Sequence, residues 1–385
     1  MKKSIFDNRS KGISTEKSDA AIRMSVTPWE VEGDINYDKL IEEFGTRPLD
    51  SHLFYRLKDP MPPPVKRGMC FSHRDLDKWL DAYDNGEKVT VLSGRGPSEK
   101  MHIGHLTLYA IPKYFQDVYK CTAYIPVSDD EKFYVKENLE IEDVEMFAND
   151  NILDILAMGF DPNKTIVHKD FEHTKIYKYA AQVAKKITYS TAKAVFGLKA
   201  ENNIGWVFYP AMQATHILYP QFIEGPHLTL VPIGIDQDPF IRATRDIAEK
   251  FGFQKPATIH KKLAPGLEGP KMSSSGKNAI WLSDDEDTVA NKVHKYAFSG
   301  GQPSIKEHRE KGGNPDIDVS FLYLKYFFEE DDNKLEQIDR DYRDGSLLSG
   351  ELKEYFIEKV NNYLKEHRRR REIVEKNIDK YMLRD

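Results

Sequence analysis

The stretch that decides the fold runs Val89-Thr90-Val91-Leu92-Ser93-Gly94-Arg95-Gly96-Pro97-Ser98-Glu99-Lys100-Met101-His102-Ile103-Gly104-His105. Its first four residues, three of them β-branched, read as a short buried strand. A Gly/Pro loop follows, and from about Ile103 the apolar spacing turns helical. A strand, a glycine loop and a helix start, in that order, leave backbone N–H groups free at a positive dipole end, a setting suited to phosphate. Gly104 carries no side chain, so a flat adenine can lie against backbone there. His102 and His105 lie three residues apart on one face of the first turn and can donate hydrogen bonds to phosphoryl oxygens as charge builds. Taken alone, an H-x-G-H pattern is more often two surface histidines on an ordinary helix.

Working outward, short apolar runs alternate with helical stretches. Ala123–Val127, Thr165–His168, Leu228–Ile233 and Thr258–His260 are strand candidates. Helical spacing covers the segment from Val127 through Ala157, then His173–Ala194, then the run through Arg242 and Arg245 to Lys250. Tyr209-Pro210-Ala211-Met212-Gln213 reads as the approach to a turn. The alternation predicts an α/β fold, a Rossmann-like doubly wound parallel sheet with ligands at its carboxyl edge. Upstream, Tyr37–Phe44 and Arg74–Tyr83 read as helices on either side of the proline-dense Asp59–Pro64. After about Asp284 strand signals vanish, and Val289–Phe298, Val319–Phe328 and Leu352–Tyr381 predict a helical C-terminal domain. The expected division is a mobile tail at 1–25, a helical extension at 26–85, the catalytic domain at 86–283 and the helical domain at 284–385.

A second motif is Lys271-Met272-Ser273-Ser274-Ser275-Gly276, preceded by Pro265-Gly266-Leu267-Glu268-Gly269-Pro270. Its glycines and prolines predict an exposed loop. A lysine with several hydroxyls on such a loop can close over a triphosphate.

Composition sets outer limits. The chain has 385 residues and a net charge of -6, and its mean hydropathy is -0.60. No apolar run approaches the ~18 residues of a transmembrane helix, and the N-terminus lacks a secretory apolar stretch. Two cysteines exclude a disulfide framework and a Cys-rich zinc site. A reducing, cytoplasmic setting is expected. The acidic balance excludes a protein that coats polyanions wholesale, while leaving room for a local basic face. Arg368–Arg371 is such a run, but four consecutive arginines cover all sides of a helix, and neighbouring glutamates favour a solvated helix laced with ion pairs.

H-x-G-H at a helix start and a late K-M-S-x-S loop, flanking an α/β region, together resemble a class I aminoacyl-tRNA synthetase. The segments Gly234-Ile235-Asp236-Gln237-Asp238-Pro239, Ser128-Asp129-Asp130-Glu131-Lys132 and Ala297-Phe298-Ser299-Gly300-Gly301 narrow the likeness. With them the sequence resembles the tryptophanyl-tRNA synthetase family of the eukaryotic and archaeal type, from about residue 26 to the end. The resemblance implies activation of tryptophan by ATP, with Mg²⁺ arriving on the nucleotide, and transfer of the aminoacyl group to tRNA. It implies that His102, His105 and Lys271 serve catalysis. Gly94, Gly96, Gly104, Met272, Ser273 and Ser275 would border ATP. Gln213, Gln237 and Glu131 would hold the α-amino group. It further implies an anticodon-reading helical domain whose last helices fold back on the catalytic domain, and a homodimer.

Four positions depart from the family pattern in the part that reads the side chain. Leu92 stands where the family usually has Tyr, Pro126 where it has Gln, His216 where it has Pro, and Ile241 where an aromatic is common. Leu and Pro side chains offer no hydrogen bond to an indole N–H. His216 either supplies a polar contact or is a satisfied core histidine. Two other readings stay open at this point. One is a diverged paralogue that keeps the ATP site as a binding or regulatory protein; the other is an enzyme that adenylates a different amino acid.

Overall fold

The computed structural model describes residues 25–26, 31–32, 36–269 and 278–385. Seven strands form one sheet, in the spatial order Arg47–Pro48, Cys70–Arg74, Ala257–Lys261, Leu228–Gly234, Val89–Leu92, Thr122–Val127, Thr165–Lys169. The last five run parallel, and the first two are antiparallel to their neighbours. Every residue of Val89–Leu92 is buried, as a strand covered on both faces requires. Its one polar side chain, Thr90, is satisfied by the Thr229 hydroxyl at 2.9 Å and by His227 at 3.1 Å.

Alternation along the central strands feeds two cores. Val91, Ala123 and Ile125 pack with Ile103 and Leu106 of the Ile103–Tyr119 helix. Leu92 and Tyr124 face the opposite way and pack with Trp206, Tyr209 and Met212 of the Ile204–Glu224 helix. From Val89–Leu92 the chain winds outward through two strands, then crosses to the far side at Leu228–Gly234. The order therefore reverses between Val89–Leu92 and Leu228–Gly234, and a crevice opens at their carboxyl ends.

Beyond Asp284 the described residues are helical up to the final segment. The Ser349–Glu375 helix packs against the Ile141–Leu156 helix of the sheet domain. Arg371 joins the two: it donates to Asp154 at 2.5 Å and pairs with Asp150. His367 Nε2 adds a contact to Asp154 at 3.2 Å. The chain end then runs beside the outermost strand, where Val167 N–H donates to the Tyr381 carbonyl and Leu383 N–H to the Val167 carbonyl. No described helix is long and apolar enough to cross a membrane.

The structure corrects several readings. Arg74 closes the Cys70–Arg74 strand rather than opening a helix, which begins at Leu76. The His173–Ala194 stretch is two helices, Ile176–Ala184 and Tyr189–Phe196, because the Thr188 hydroxyl accepts the Thr191 N–H and caps a new start. The Tyr209–Gln213 segment precedes no turn: it lies inside the 21-residue Ile204–Glu224 helix, which contains Pro210 and Pro220. The last long helix ends at Glu375, six residues before Tyr381. The arginine run divides its labour. Arg369 and Arg370 pair with Glu366 on the same helix, whereas Arg368 and Arg371 reach across to Asp284 and Asp150/Asp154.

That division is testable by thermal denaturation. Arg371→Ala strips a half-buried, multiply bonded cation from two carboxylates and should cost about 1–3 kcal/mol. Arg369→Ala removes only an exposed i,i+3 pair and should stay within about 0.5 kcal/mol of the parent. Equal losses in the two variants would contradict this docking of the last helix.

Candidate active site

Parallel pairing does not stop where the strands end. Ser93 N–H donates to the Tyr124 carbonyl at 3.0 Å, Arg95 N–H to the Pro126 carbonyl at 3.0 Å, and Ser128 N–H to the Arg95 carbonyl at 2.9 Å. Two loops are thereby held one strand spacing apart. A Cβ at Gly94 would lie 2.9 Å from Pro126 Cγ and 3.0 Å from its carbonyl oxygen, so this position admits only glycine without a backbone shift. A Cβ at Gly96 would fall 2.2 Å from Glu131 Oε2, the end of a flexible side chain. The loop is also pinned sideways. Arg95 Nε donates to Asn151 Oδ1 at 2.7 Å, and Asn151 Nδ2 donates to the Ser98 carbonyl at 2.7 Å.

His102 caps the following helix in an extended conformation, and its backbone N–H donates to His105 Nδ1 at 3.0 Å. The two rings stack with centroids 3.7 Å apart. Burial, followed by the nearby Arg95 charge, pushes His102 down to about 4 and holds His105 well below the usual imidazole range. Both are therefore neutral at pH 7. Because His105 Nδ1 accepts, its proton sits on Nε2, which can donate. On the other side of this turn, Ile103 N–H donates to the Ile280 carbonyl and Leu282 N–H to the Met101 carbonyl. The segment that follows the K-M-S-x-S motif is thus paired with the H-x-G-H turn. Lys271, Met272, Ser273 and Ser275 themselves lie outside the described residues.

A cavity of about 390 Å³ occupies the crevice at the switch point. Leu92, Gly94, Gly96, Pro126 and Glu131 line it from one side, and Gln213, His216, Gln237 and Ile241 from the other. Nine of the candidate residues thus meet in one place, while His102, Gly104 and His105 stand outside its lining. Phe196, Tyr209, Phe240 and Val231 complete apolar walls that the sequence reading did not assign. The rings of Phe196 and Phe240 stack at 4.4 Å. Gln213 Oε1 is buried and accepts no hydrogen bond from the described residues, so it is a free acceptor for a bound donor. Gln237 Nε2 donates to Asp236 Oδ2 at 2.7 Å. Beside it, Asp238 opens the Asp238–Phe251 helix and is gripped by Arg74 through two 2.7 Å bonds.

His216 is buried at the cavity wall, and its Nε2 lies 2.8 Å from Asp170 Oδ1. It is therefore a satisfied core histidine and a cavity residue at once. Behind it sits an acidic cluster that meets histidines, with no lysine or arginine in ion-pair contact among the described residues. Burial raises Asp129 to about 6 and Asp130 to about 9, and drives Asp170 up as well. His168, Asp170 and His216 also bring three ligand atoms within 4.8 Å of one another. The 2.8 Å His216–Asp170 contact is a hydrogen bond; two donors around a tetrahedral zinc would stand roughly 3.3 Å apart.

Among the described residues no side chain of the cavity wall is paired with a base as a nucleophile would be. The geometry instead offers an apolar slot with a few polar groups, next to a glycine loop and a pair of neutral imidazoles. Such an arrangement can position a substrate and stabilise charge that develops on an anion. Residues 84–365 match the family described as tRNA synthetases class I (W and Y), and the chain belongs to that family. Among curated proteins it is similar to the tryptophan–tRNA ligase of Sulfurisphaera tokodaii, at 48% identity over 93% of this chain and 95% of that one. The tryptophan–tRNA ligase of Saccharolobus solfataricus is likewise 48% identical, over 90% of this chain and 92% of its own. Among solved structures, a tryptophanyl-tRNA synthetase from Encephalitozoon cuniculi bound to tryptophan superposes with a TM-score of 0.83. It is 34% identical, over 91% of this chain and 98% of that one.

The neutral state of His102 has a thermodynamic signature. Between about pH 6.5 and 4 the unfolded chain takes up a proton that the folded site refuses, so stability falls as pH drops through this window. The group's share is about 3 kcal/mol, complete below pH ~4. His102→Gln should flatten the acid side of a melting-temperature profile. A profile parallel to that of the parent would show that His102 is not held neutral.

Proposed function

We infer that the chain is a tryptophan–tRNA ligase, which activates tryptophan with ATP and esterifies it to tRNA. The observation that carries this reading is the single cavity where the apolar wall of Leu92, Phe196 and Ile241 meets the amides of Gln213 and Gln237. An apolar slot suits a large aromatic side chain, and the free acceptor on Gln213 suits an ammonium. Identity of 48% to tryptophan–tRNA ligases disfavours both the diverged paralogue and a different amino acid.

In this account the tryptophan carboxylate attacks the α-phosphorus of ATP, the bond to pyrophosphate breaks, and the adenylate then passes its aminoacyl group to the tRNA 3′ ribose. The Gly94–Gly96 loop receives the nucleotide because backbone stands where side chains would be. His105 donates through Nε2, and His102 works beside it, as charge grows on the phosphoryl oxygens. Neutral imidazoles suit this task, since they stabilise the transition state without releasing a proton. Lys271, with Met272, Ser273 and Ser275, closes on the pyrophosphate, and Gly104 packs near adenine. Gln213, Gln237 and Glu131 orient the α-amino group. Mg²⁺ would arrive with ATP, keeping most of its waters, and would supply charge neutralisation at the phosphates. Residues 284–385 read the anticodon, and the enzyme works as a homodimer in the cytoplasm.

Tryptophan-dependent exchange of pyrophosphate into ATP tests the first half-reaction. The wild type should exchange with tryptophan. His105→Ala should lower kcat by about 10²–10³-fold with little change in KM for tryptophan, the loss expected of one transition-state donor. Gln213→Ala should instead raise that KM. A wild type that binds ATP but shows no exchange with tryptophan would refute the reading.

A further inference from the structure

We propose that His216 reads the indole N–H of tryptophan through its Nδ1, and that Asp170 is the positioning residue that sets the required tautomer. This rests on the tryptophan–tRNA ligase reading above.

An indole N–H is a donor only, so a pocket selective for it must present an acceptor. Two positions expected to do so are apolar here. Leu92 has no polar atom in its side chain. Pro126 offers only its carbonyl, which already accepts Arg95 N–H at 3.0 Å. His216 is the imidazole in the cavity wall. A neutral imidazole presents one donor nitrogen and one acceptor nitrogen, and the partner of one decides the role of the other.

The partner here is fixed. Asp170 is fully buried, and its Oδ1 lies 2.8 Å from His216 Nε2. Its own backbone N–H donates to Asp129 Oδ1 at 2.8 Å, which anchors the residue just beyond the Thr165–Lys169 strand. The nearest rival for the carboxylate, His168 Nε2, stands 4.0 Å away, too far for a hydrogen bond. At 2.8 Å the Asp170 carboxylate oxygen is the hydrogen-bond partner of Nε2 and takes the acceptor role toward the imidazole. The proton of His216 therefore sits on Nε2. Nδ1 is left with a lone pair and no partner among the described residues. An indole N–H would fill that vacancy, whereas a side chain without a donor would leave a buried nitrogen unpaired. Three elements converge on this arrangement: the helix that carries His216, the strand end that carries Asp170, and the Asp129–Val135 helix behind them.

The test compares tryptophan with its benzothiophene isostere, in which sulfur replaces the N–H, by ATP–pyrophosphate exchange with the full-length enzyme. The wild type should prefer tryptophan in kcat/KM by roughly 5- to 150-fold, the cost of an unpaired polar group. His216→Ala should bring the ratio close to one by lowering kcat/KM for tryptophan while sparing the isostere. Asp170→Ala should narrow the ratio and leave KM for ATP unchanged. A wild-type ratio near one overturns the proposal without reliance on any variant. So does a His216→Ala enzyme that activates both substrates less well but keeps the wild-type ratio, since that is what a merely structural histidine would give. A wild type that exchanges with neither substrate overturns the ligase reading, and this proposal with it.

Discussion

Two backbone hydrogen bonds made after the strands have ended, Arg95 N–H to Pro126 and Ser128 N–H to Arg95, hold the site together. They carry the parallel ladder into the loops, so the glycine loop and the acidic turn run side by side at strand spacing. That closeness accounts for the glycine at 94, where a methyl group would press on the Pro126 ring and carbonyl. It also places Glu131 against Gly96 and sets Leu92 and Pro126 as neighbours in the cavity wall. The remaining wall comes from across the switch point, where Gln237 is steadied by the Arg74 grip on Asp238.

The electrostatics follow from burial more than from charge pairing. His102 and His105 are stripped of water beside the half-buried Arg95, and they stay neutral. Asp129, Asp130 and Asp170 are stripped of water too, which raises all three, while backbone N–H groups serve Asp129. The same burial that would penalise a charged cluster thus leaves two neutral imidazoles beside the glycine loop and a third, His216, in the cavity wall. Each role depends on which ring nitrogen is already occupied.

Much of the fold was legible because its signals are local. Val89–Leu92 is a short, largely apolar run, Ile103–Tyr119 has helical spacing, and a glycine loop lies between them. The Ile204–Glu224 helix was not legible, because Pro210 and Pro220 mark breaks in any local reading. Tertiary burial overrides them: both prolines are buried with most of the helix around them. The Cys70–Arg74 strand was hidden by its polar residues. Ser72 meets His260 at 2.9 Å and Arg74 meets Asp238, partners far away in sequence. The site divides in the same way. Residues inside motifs, such as Gly94 and Gln213, could be named from the sequence. Asn151 and Asp170 could not, because their importance lies in what they touch 46 or more positions away.

The central claim is that the close approach of the two strand exits builds the site, and Gly94→Ala tests it most directly. Tryptophan-dependent ATP–pyrophosphate exchange should fall by orders of magnitude while the variant remains folded by circular dichroism, because the Cβ would force Arg95 away from the Pro126 carbonyl. A folded Gly94→Ala enzyme with wild-type kcat/KM for both tryptophan and ATP would contradict the account.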